Sequence, residues 1–186
     1  MFVTVVTAPD TVVSLEEAKD HLRVRHNAED ALIEGMVAAA TSHIDAPHGW
    51  LGRAIGMQTL EVGLPTWCIA ENFALPYPPL IEIVSITYQD AQRQPVTVAA
   101  DRYEVIDGLV EAVGDVAWSA ARPAKNGLRV RYRAGYLTVP ASIRAAILLM
   151  VGDLYRNRDT VAAVQAAAIP MSTTVDNLLS PFRVFA

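Results

Sequence analysis

The spacing of apolar residues divides this 186-residue chain into a helical start, a middle of short strands and a long helix near the end. Apolar residues recur at intervals of three and four until Pro47, Gly49 and Gly52 interrupt them. From about Ile55 to Tyr136, prolines and glycines separate short runs rich in Val, Ile, Thr and Tyr. The pattern predicts an α+β fold, with a small helical bundle core and an inserted antiparallel β region.

Two helices are predicted before residue 52. Ser14 and Glu17 form a capping box that opens a short helix, in which Leu15, Ala18 and Leu22 share one stripe. Asn27 is the predicted cap of a second, longer helix with acidic residues in its first turn, where the helix dipole favours them. The predicted buried face of this second helix consists of Leu32, Met36, Ala39 or Ala40, and His43.

The middle of the chain predicts strands joined by tight turns. The predicted strands are Met57–Val62, Ile81–Tyr88, Tyr103–Ile106 and Leu128–Arg133. Asp107-Gly108 and Asn126-Gly127 are dipeptides that join antiparallel strands. These turns are the reason for expecting an antiparallel region.

A long helix starting at Pro140 is apolar almost all round. Its predicted main stripe consists of Ile143, Ile147, Met150 and Leu154. A helix without a polar face must be covered, in part by other subunits, which favours an assembly component over a self-contained enzyme. We expect one domain overall, with N-terminal helices over 1–52, a β insertion over 53–137, a core helix over 138–159 and a flexible C-terminal arm over 160–186. The Ala-rich run at 162–168 fits either a helix or a linker.

Composition narrows the classes of protein. Apolar residues make up 52% of the chain and charged residues 19%, which excludes a disordered chain. The net charge of −5 argues against wrapping nucleic acid, although an acidic channel could pass DNA without specific binding. The single cysteine, Cys68, excludes an intrachain disulfide and fits a reducing compartment. The first residues lack the positive charge of a signal peptide, so we expect cytoplasmic synthesis. The longest apolar run, Ala145–Gly152, is too short to cross a bilayer, so we expect no membrane partner.

The sequence offers little catalytic chemistry. The histidines lack the spacing of a zinc site, and Cys68 sits in an apolar run without a recognisable base. No phosphate-binding or nucleophile motif is present, so no catalytic, cofactor-binding or metal residue is predicted and no cofactor is expected. The alternative from another class is a small metal-dependent hydrolase using His21, His26 or His43.

Two features could bind a partner. One is a strand face that carries Arg129, Arg131 and Arg133, which alternate with apolar residues. This face is either exposed to solvent or paired with an acidic partner. A third interpretation is that it binds nucleic acid. The end of the chain is apolar, either because it folds back onto its own core or because it is a docking peptide for a partner's groove. Its apolar residues are Leu178, Leu179, Phe182, Val184 and Phe185.

In their order along the chain, five segments resemble the head–tail connector (adaptor, or head-completion) proteins of long-tailed bacteriophages and gene transfer agents. These are V-V-S-L-E-E-A-K-D-H-L-R-V at 12–24, E-D-A-L-I-E at 29–34, L-P-Y-P-P-L-I-E-I-V-S-I-T-Y at 75–88, the segment from G-L-R-V-R-Y-R-A-G-Y to the A-A-I-L-L-M-V helix at 127–151, and L-L-S-P-F-R-V at 178–184. Each is a packing pattern, and the ordered set carries the resemblance.

The resemblance implies a non-enzymatic virion protein of the neck, made in the bacterial cytoplasm. Such proteins form a ring, typically a dodecamer, that docks beneath the portal, extends the DNA channel and receives the next neck or tail protein. It implies a portal-docking arm of Leu178, Leu179, Pro181, Phe182, Arg183 and Phe185. Within a ring, the candidates for subunit contacts are Arg129, Arg131, Arg133, Arg156 and Arg158. The structural alternative is another neck component, a stopper or a tail-completion protein.

Overall fold

The computed structural model describes residues 2–66, 72–115, 118–158 and 172–184. The chain divides into two compact units, each built from two stretches of sequence. The sheet unit comprises Met1–Asp10 and Ala54–Leu137, and the helical unit comprises Thr11–Arg53 and Thr138–Ala186. The predicted α+β class is confirmed, because the described residues contain helices together with two antiparallel sheets.

The sheet unit contains a five-stranded and a three-stranded sheet. The five-stranded sheet is made of β1 (Phe2–Thr7), β2 (Gln58–Leu64), β4 (Leu80–Gln89), β5 (Pro95–Thr97) and β8 (Leu128–Ala134), in the order β1-β2-β8-β4-β5. The smaller sheet is made of β3 (Asn72–Ala74), β6 (Tyr103–Ile106) and β7 (Leu109–Ala112), in the order β3-β7-β6. Every pairing is antiparallel.

The strand predictions match β2, β4, β6 and β8 and miss the other four described strands. β6 has the predicted bounds, and β2, β4 and β8 lie within two residues of theirs. The sequence did not predict β1, β3, β5 or β7. It did predict the turn at Asp107-Gly108 that β7 follows. β3 and β5 are three residues long and β1 is mostly exposed, so none of them shows a clear buried-exposed alternation.

The centre of the five-stranded sheet is β8. Leu128, Val130 and Tyr132 are fully buried, and they alternate with the three arginines of the opposite face. The Tyr132 hydroxyl donates a hydrogen bond to the Pro76 carbonyl oxygen at 2.7 Å, and burial raises the pKa of this hydroxyl. The hydrogen bond satisfies the one polar atom of an otherwise apolar core side chain.

The strand β8 ends at a position that requires glycine. Gly135 has a φ of 125°, and a β-carbon there would lie 2.4 Å from the Gly56 carbonyl oxygen. Both the backbone angle and the close approach exclude a larger residue.

The helical unit contains α1 (Leu15–Leu22), α2 (Asp30–Ile44), α3 (Ala141–Arg156) and α4 (Thr173–Leu179), followed by a 3-10 turn at Ser180–Phe182. The long helix α3 contacts α1, α2 and α4. Residues 173–182, which were assigned to a flexible arm from the sequence, are therefore helical in this structure, whereas residues 160–171, with the Ala-rich run, lie outside the described residues.

The starts of α1 and α2 differ in how well the sequence predicted them. The Ser14 hydroxyl accepts a hydrogen bond from the Glu17 amide at 3.1 Å, which confirms the cap of α1. The predicted cap of α2 at Asn27 is wrong, because the N-cap residue of α2 is Glu29, and its side chain forms no capping hydrogen bond. The Asn27 side chain instead accepts a hydrogen bond from the Lys19 ammonium at 2.8 Å, and the same ammonium pairs with Asp30 at 2.6 Å.

The buried face of α2 was predicted one residue out of phase. The helix buries Ile33, Val37, Ala40 and Ile44, so of the predicted set only Ala40 is fully enclosed. Leu32 is 42% exposed and His43 is exposed, which makes the interpretation of His43 as a core or boundary residue wrong. Two adjacent stripes of this helix are apolar, and periodicity alone does not decide which one faces the core.

The predicted face of α3 is correct at its start and wrong at its end. Ile143 and Ile147 are fully buried, whereas Met150 is half-buried and Leu154 is 40% exposed. Val151 takes the buried position on the next turn. The buried residues Ile143, Ile147 and Val151 keep a spacing of four, whereas the predicted stripe steps by three residues from Ile147 to Met150. Both Met150 and Val151 are apolar, so periodicity alone does not decide which of them faces the core.

None of the helices in the described ranges is both long enough and apolar enough to cross a membrane.

Candidate assembly surfaces

The three arginines of β8 lie on the exposed face of the five-stranded sheet, as their spacing predicts. Each one faces a glutamate of the same sheet. Arg131 pairs with Glu61 at 2.8 Å through two nitrogen donors, and Arg133 pairs with Glu82 on β4 at 2.8 Å. Arg129 approaches Glu61 only to 3.8 Å.

The balance of charge on this arginine face is positive. Three arginines share two glutamates, and Glu61 is already bonded to Arg131, so Arg129 carries the least neutralised charge. Its side chain is 64% exposed. Exposed pairs of this kind stabilise a fold by about 0–1 kcal/mol each, so their contribution to folding is small. The arginine face is thus both solvated and able to accept an acidic partner at Arg129.

A surface cavity of 190 Å³ opens beside Arg129. Gly63 pairs with Phe2 on one side and with Arg129 on the other, which places these residues in one row across the exposed face. The cavity is lined by Phe2, Thr4, Glu61, Gly63, Asn126 and Arg129. Phe2 is 67% exposed at the edge strand, and no signal in the sequence singled it out because β1 was not predicted.

The hairpin of β6 and β7 presents an apolar tip. Its turn, Asp107-Gly108, has φ values of 51° and 81°, the two positive angles of a type I′ turn. Val105, Ile106 and Leu109 around this turn are between 36% and 45% exposed. Turn tips are usually polar, so an exposed apolar tip indicates a contact surface.

The tail segment, defined as residues 172–184, packs within the helical unit. The Ser172 hydroxyl accepts a hydrogen bond from the Val175 amide at 3.3 Å and caps α4. Val175 and Leu179 are buried, and α4 contacts α3. Leu179 of the predicted portal-docking arm therefore belongs to the protein's own core in this structure, while Leu178 is half-buried.

The end of the tail segment is fixed by backbone hydrogen bonds. The Val184 amide donates to the Leu51 carbonyl oxygen at 2.8 Å, and the Arg53 side chain donates to the Phe182 carbonyl oxygen at 2.8 Å. The guanidinium of Arg183 lies 4.2 Å from the centre of the Trp50 ring, a cation–π contact. Among the other residues predicted for the docking arm, Pro181 is exposed, Phe182 and Arg183 are half-buried, and Phe185 lies outside the described residues.

Arg156 and Arg158 belong to the helical unit and so are not part of the arginine face. Arg156 is 75% exposed and lies 4.0 Å from Asp153. Arg158 pairs with Glu29 at 2.9 Å and stacks 4.3 Å above the Tyr155 ring. The Tyr155 hydroxyl donates to Glu29 at 2.5 Å, and this bond, followed by the one from Arg158, lowers the pKa of Glu29.

The residues of the alternative enzyme hypothesis do not form a site. In the described parts of the chain, no group of three or more His, Cys, Asp or Glu side chains could hold a metal ion. His21 lies near Gly152 on α3, and His43 is exposed on α2. Cys68 lies outside the described residues.

Residues 12–95 match the family described as phage gp6-like head–tail connector proteins. This segment is thus similar to the head–tail connector family. The match contains three of the segments on which the sequence resemblance rested, at 12–24, 29–34 and 75–88, and confirms it. It extends from α1 across α2 and β2 to the start of β5.

Three solved structures contain chains that share the fold of this protein over its whole length. The neck of an empty gene transfer agent particle, computed with C6 symmetry, contains a chain that is 24% identical, with a TM-score of 0.77. A chain in the virion of a native gene transfer agent particle is 24% identical, with a TM-score of 0.75. A chain in the neck of a native particle computed with C12 symmetry is 21% identical, with a TM-score of 0.71. Each comparison covers 100% of this chain and 97% of the other. No curated protein matches this chain in sequence.

Proposed function

We propose that this protein is a neck adaptor that forms a ring beneath the portal of a phage-like particle, extends the DNA channel and receives the next neck or tail protein. The match of residues 12–95 to the connector family supports the adaptor role. The observation that supports a ring is the likeness of the full chain to proteins in necks computed with C6 and C12 symmetry. Within the helical unit, α3 contacts α1, α2 and α4.

The role is structural and needs neither catalysis nor a cofactor. A net charge of −5 suits a channel through which DNA passes without specific binding, because a channel rich in cations would retain the phosphates. A stopper or a tail-completion protein is the second candidate within the neck. The substantial helical content of the described residues favours the adaptor, since those other components are expected to be mostly β.

The arginines are the proposed contacts between subunits. Arg129, with its exposed and weakly neutralised guanidinium, is the foremost of them. Arg131 and Arg133 hold the flanking glutamates in place and so preorganise the surface. Arg156 and Arg158 are proposed for a second contact on the helical unit.

The tail segment is the proposed docking element for the portal. Because its backbone is held at Leu51 and Arg53, it offers a preformed surface and loses less entropy on binding than a disordered peptide would. Pro181, Phe182 and Arg183 lie at this surface, and Leu178 lies beside them. Leu179 supports the surface from the core.

The docking role of the tail segment is tested by measuring how tail variants of the protein attach to portal-bearing heads. A protein lacking residues 180–186 is expected to keep its helical circular dichroism and to lose head attachment. Pro181→Glu is the finer variant, because it changes an exposed side chain and leaves in place the hydrogen bonds from Val184 to Leu51 and from the Arg53 side chain to Phe182. Leu32→Glu on exposed α2 is the matched control and is expected to attach normally. Normal attachment of both tail variants would refute the docking role.

A further inference from the structure

One face of the three-stranded sheet is exposed and carries both apolar and acidic residues. Glu104 pairs across the hairpin with Glu111, and Ile106 pairs with Leu109, so all four side chains lie on the same face. Val110, between Leu109 and Glu111, points to the opposite face and is fully buried. This set of four residues is called the hairpin face below.

The two glutamates of the hairpin face repel each other in the isolated subunit. Carboxylates directly opposite one another on antiparallel strands are destabilising. Neither Glu104 nor Glu111 forms a salt bridge with another described residue. A cation supplied from outside the subunit would relieve this repulsion, so the hairpin face is suited to a basic partner.

The arginine face of the same protein has the complementary properties. Arg129 is exposed, carries the charge that Glu61 does not neutralise, and borders the 190 Å³ cavity beside Phe2. A water molecule takes about 30 Å³ in the liquid, so this cavity has room for several waters or for one aliphatic side chain. The apolar tip of a hairpin could therefore fill it while the glutamates reach Arg129.

We propose that the hairpin face of one subunit packs on the arginine face of a second copy, with Ile106 or Leu109 in the cavity beside Phe2 and Glu104 and Glu111 at Arg129. The inference rests on the proposed ring. A ring needs a heterologous interface, in which two different surfaces of the same chain meet head to tail. Contact between two hairpin faces would bring four carboxylates together, so their repulsion disfavours pairing of this face with itself.

Charge reversal tests the pairing in complexes assembled on purified portal and counted by electron microscopy. Glu104→Lys with Glu111→Lys, and separately Arg129→Glu, are each expected to reduce ring formation about tenfold or more, because like charges then meet across the interface. Combining all three changes is expected to restore most of it. Glu34→Lys and Arg25→Glu, at exposed positions of the helical unit, are the matched controls and should leave ring formation unchanged.

Cross-linking between copies tests the geometry independently of the charge variants. In a Cys68→Ser background, one protein carries Glu104→Cys and another carries Arg129→Cys. Mixed on the portal and oxidised, the two are expected to form a disulfide-linked heterodimer, while each alone stays monomeric on a non-reducing gel. Because each protein has one cysteine, the product can only form between copies.

The outcomes separate this interface from the proposed function. Wild-type rings on the portal without the mixed cross-link, or without rescue by the combined variant, would overturn the interface and leave the adaptor role standing. A wild-type protein that forms no ring on the portal would overturn both. The mixed cross-link together with the rescue would establish the head-to-tail contact.

Discussion

Replacing Leu179 with alanine tests whether the tail segment belongs to the protein's own core. The side chain is fully buried in α4, which packs on α3, and it adjoins the turn that carries Pro181 and Phe182. Truncating a buried leucine removes its burial energy and leaves a cavity, which costs about 2–5 kcal/mol. Because α4 has only seven residues and can relax, we expect a loss of about 3 kcal/mol.

The adjacent residue provides the matched control. Leu178 is half-buried on the same helix, so Leu178→Ala is expected to cost about 1 kcal/mol or less. The assay is urea denaturation of the isolated protein, followed by helical circular dichroism, with stability taken from the midpoint and slope. Equal losses for the two variants, or a loss below about 1 kcal/mol for Leu179→Ala, would refute the packing of the tail described above.

Two further predictions concern hydrogen-bonded side chains. Tyr132→Phe leaves the Pro76 carbonyl without its donor and is expected to lower stability by about 1–2 kcal/mol in urea, whereas a fall below about 0.5 kcal/mol would contradict the importance of this bond. The pKa of Glu29 is lowered in the folded state, so its contribution to stability exists above the ordinary pKa of a glutamate and is lost as the pH falls through the lowered value. Glu29→Gln should therefore reduce the melting temperature at neutral pH, with a deficit that shrinks in acid. A deficit independent of pH would contradict the lowering of the Glu29 pKa by the Tyr155 hydroxyl and the Arg158 guanidinium.

The sequence was sufficient for the elements with strong local signals. The three arginines of β8 alternate with buried residues, so a period of two predicted both the strand and its exposed face. The Ser14 cap of α1 and the turn at Asp107-Gly108 rest on local backbone chemistry, and both occur as predicted. The Glu17 carboxylate, predicted as the other half of a capping box, pairs instead with Arg144. Such signals depend on neighbours a few residues away.

Features set by distant partners could not be predicted from local patterns. β1 is an edge strand whose pairing with β2 is distant in sequence, and so neither Phe2 nor its cavity could be predicted. α2 has two apolar stripes, and the packing of α3 decides that Ile33 faces inward and Leu32 outward. The tail was open to two interpretations, and contacts with Leu51 and Arg53, far away in the sequence, hold it on its own unit.

Electron microscopy of the purified protein mixed with purified portal tests the central claim most directly. The proposal predicts a closed ring of this protein seated on the outer end of the portal, with the tail segment at the contact. A protein that stays monomeric and ignores the portal under conditions in which the portal is intact would contradict it.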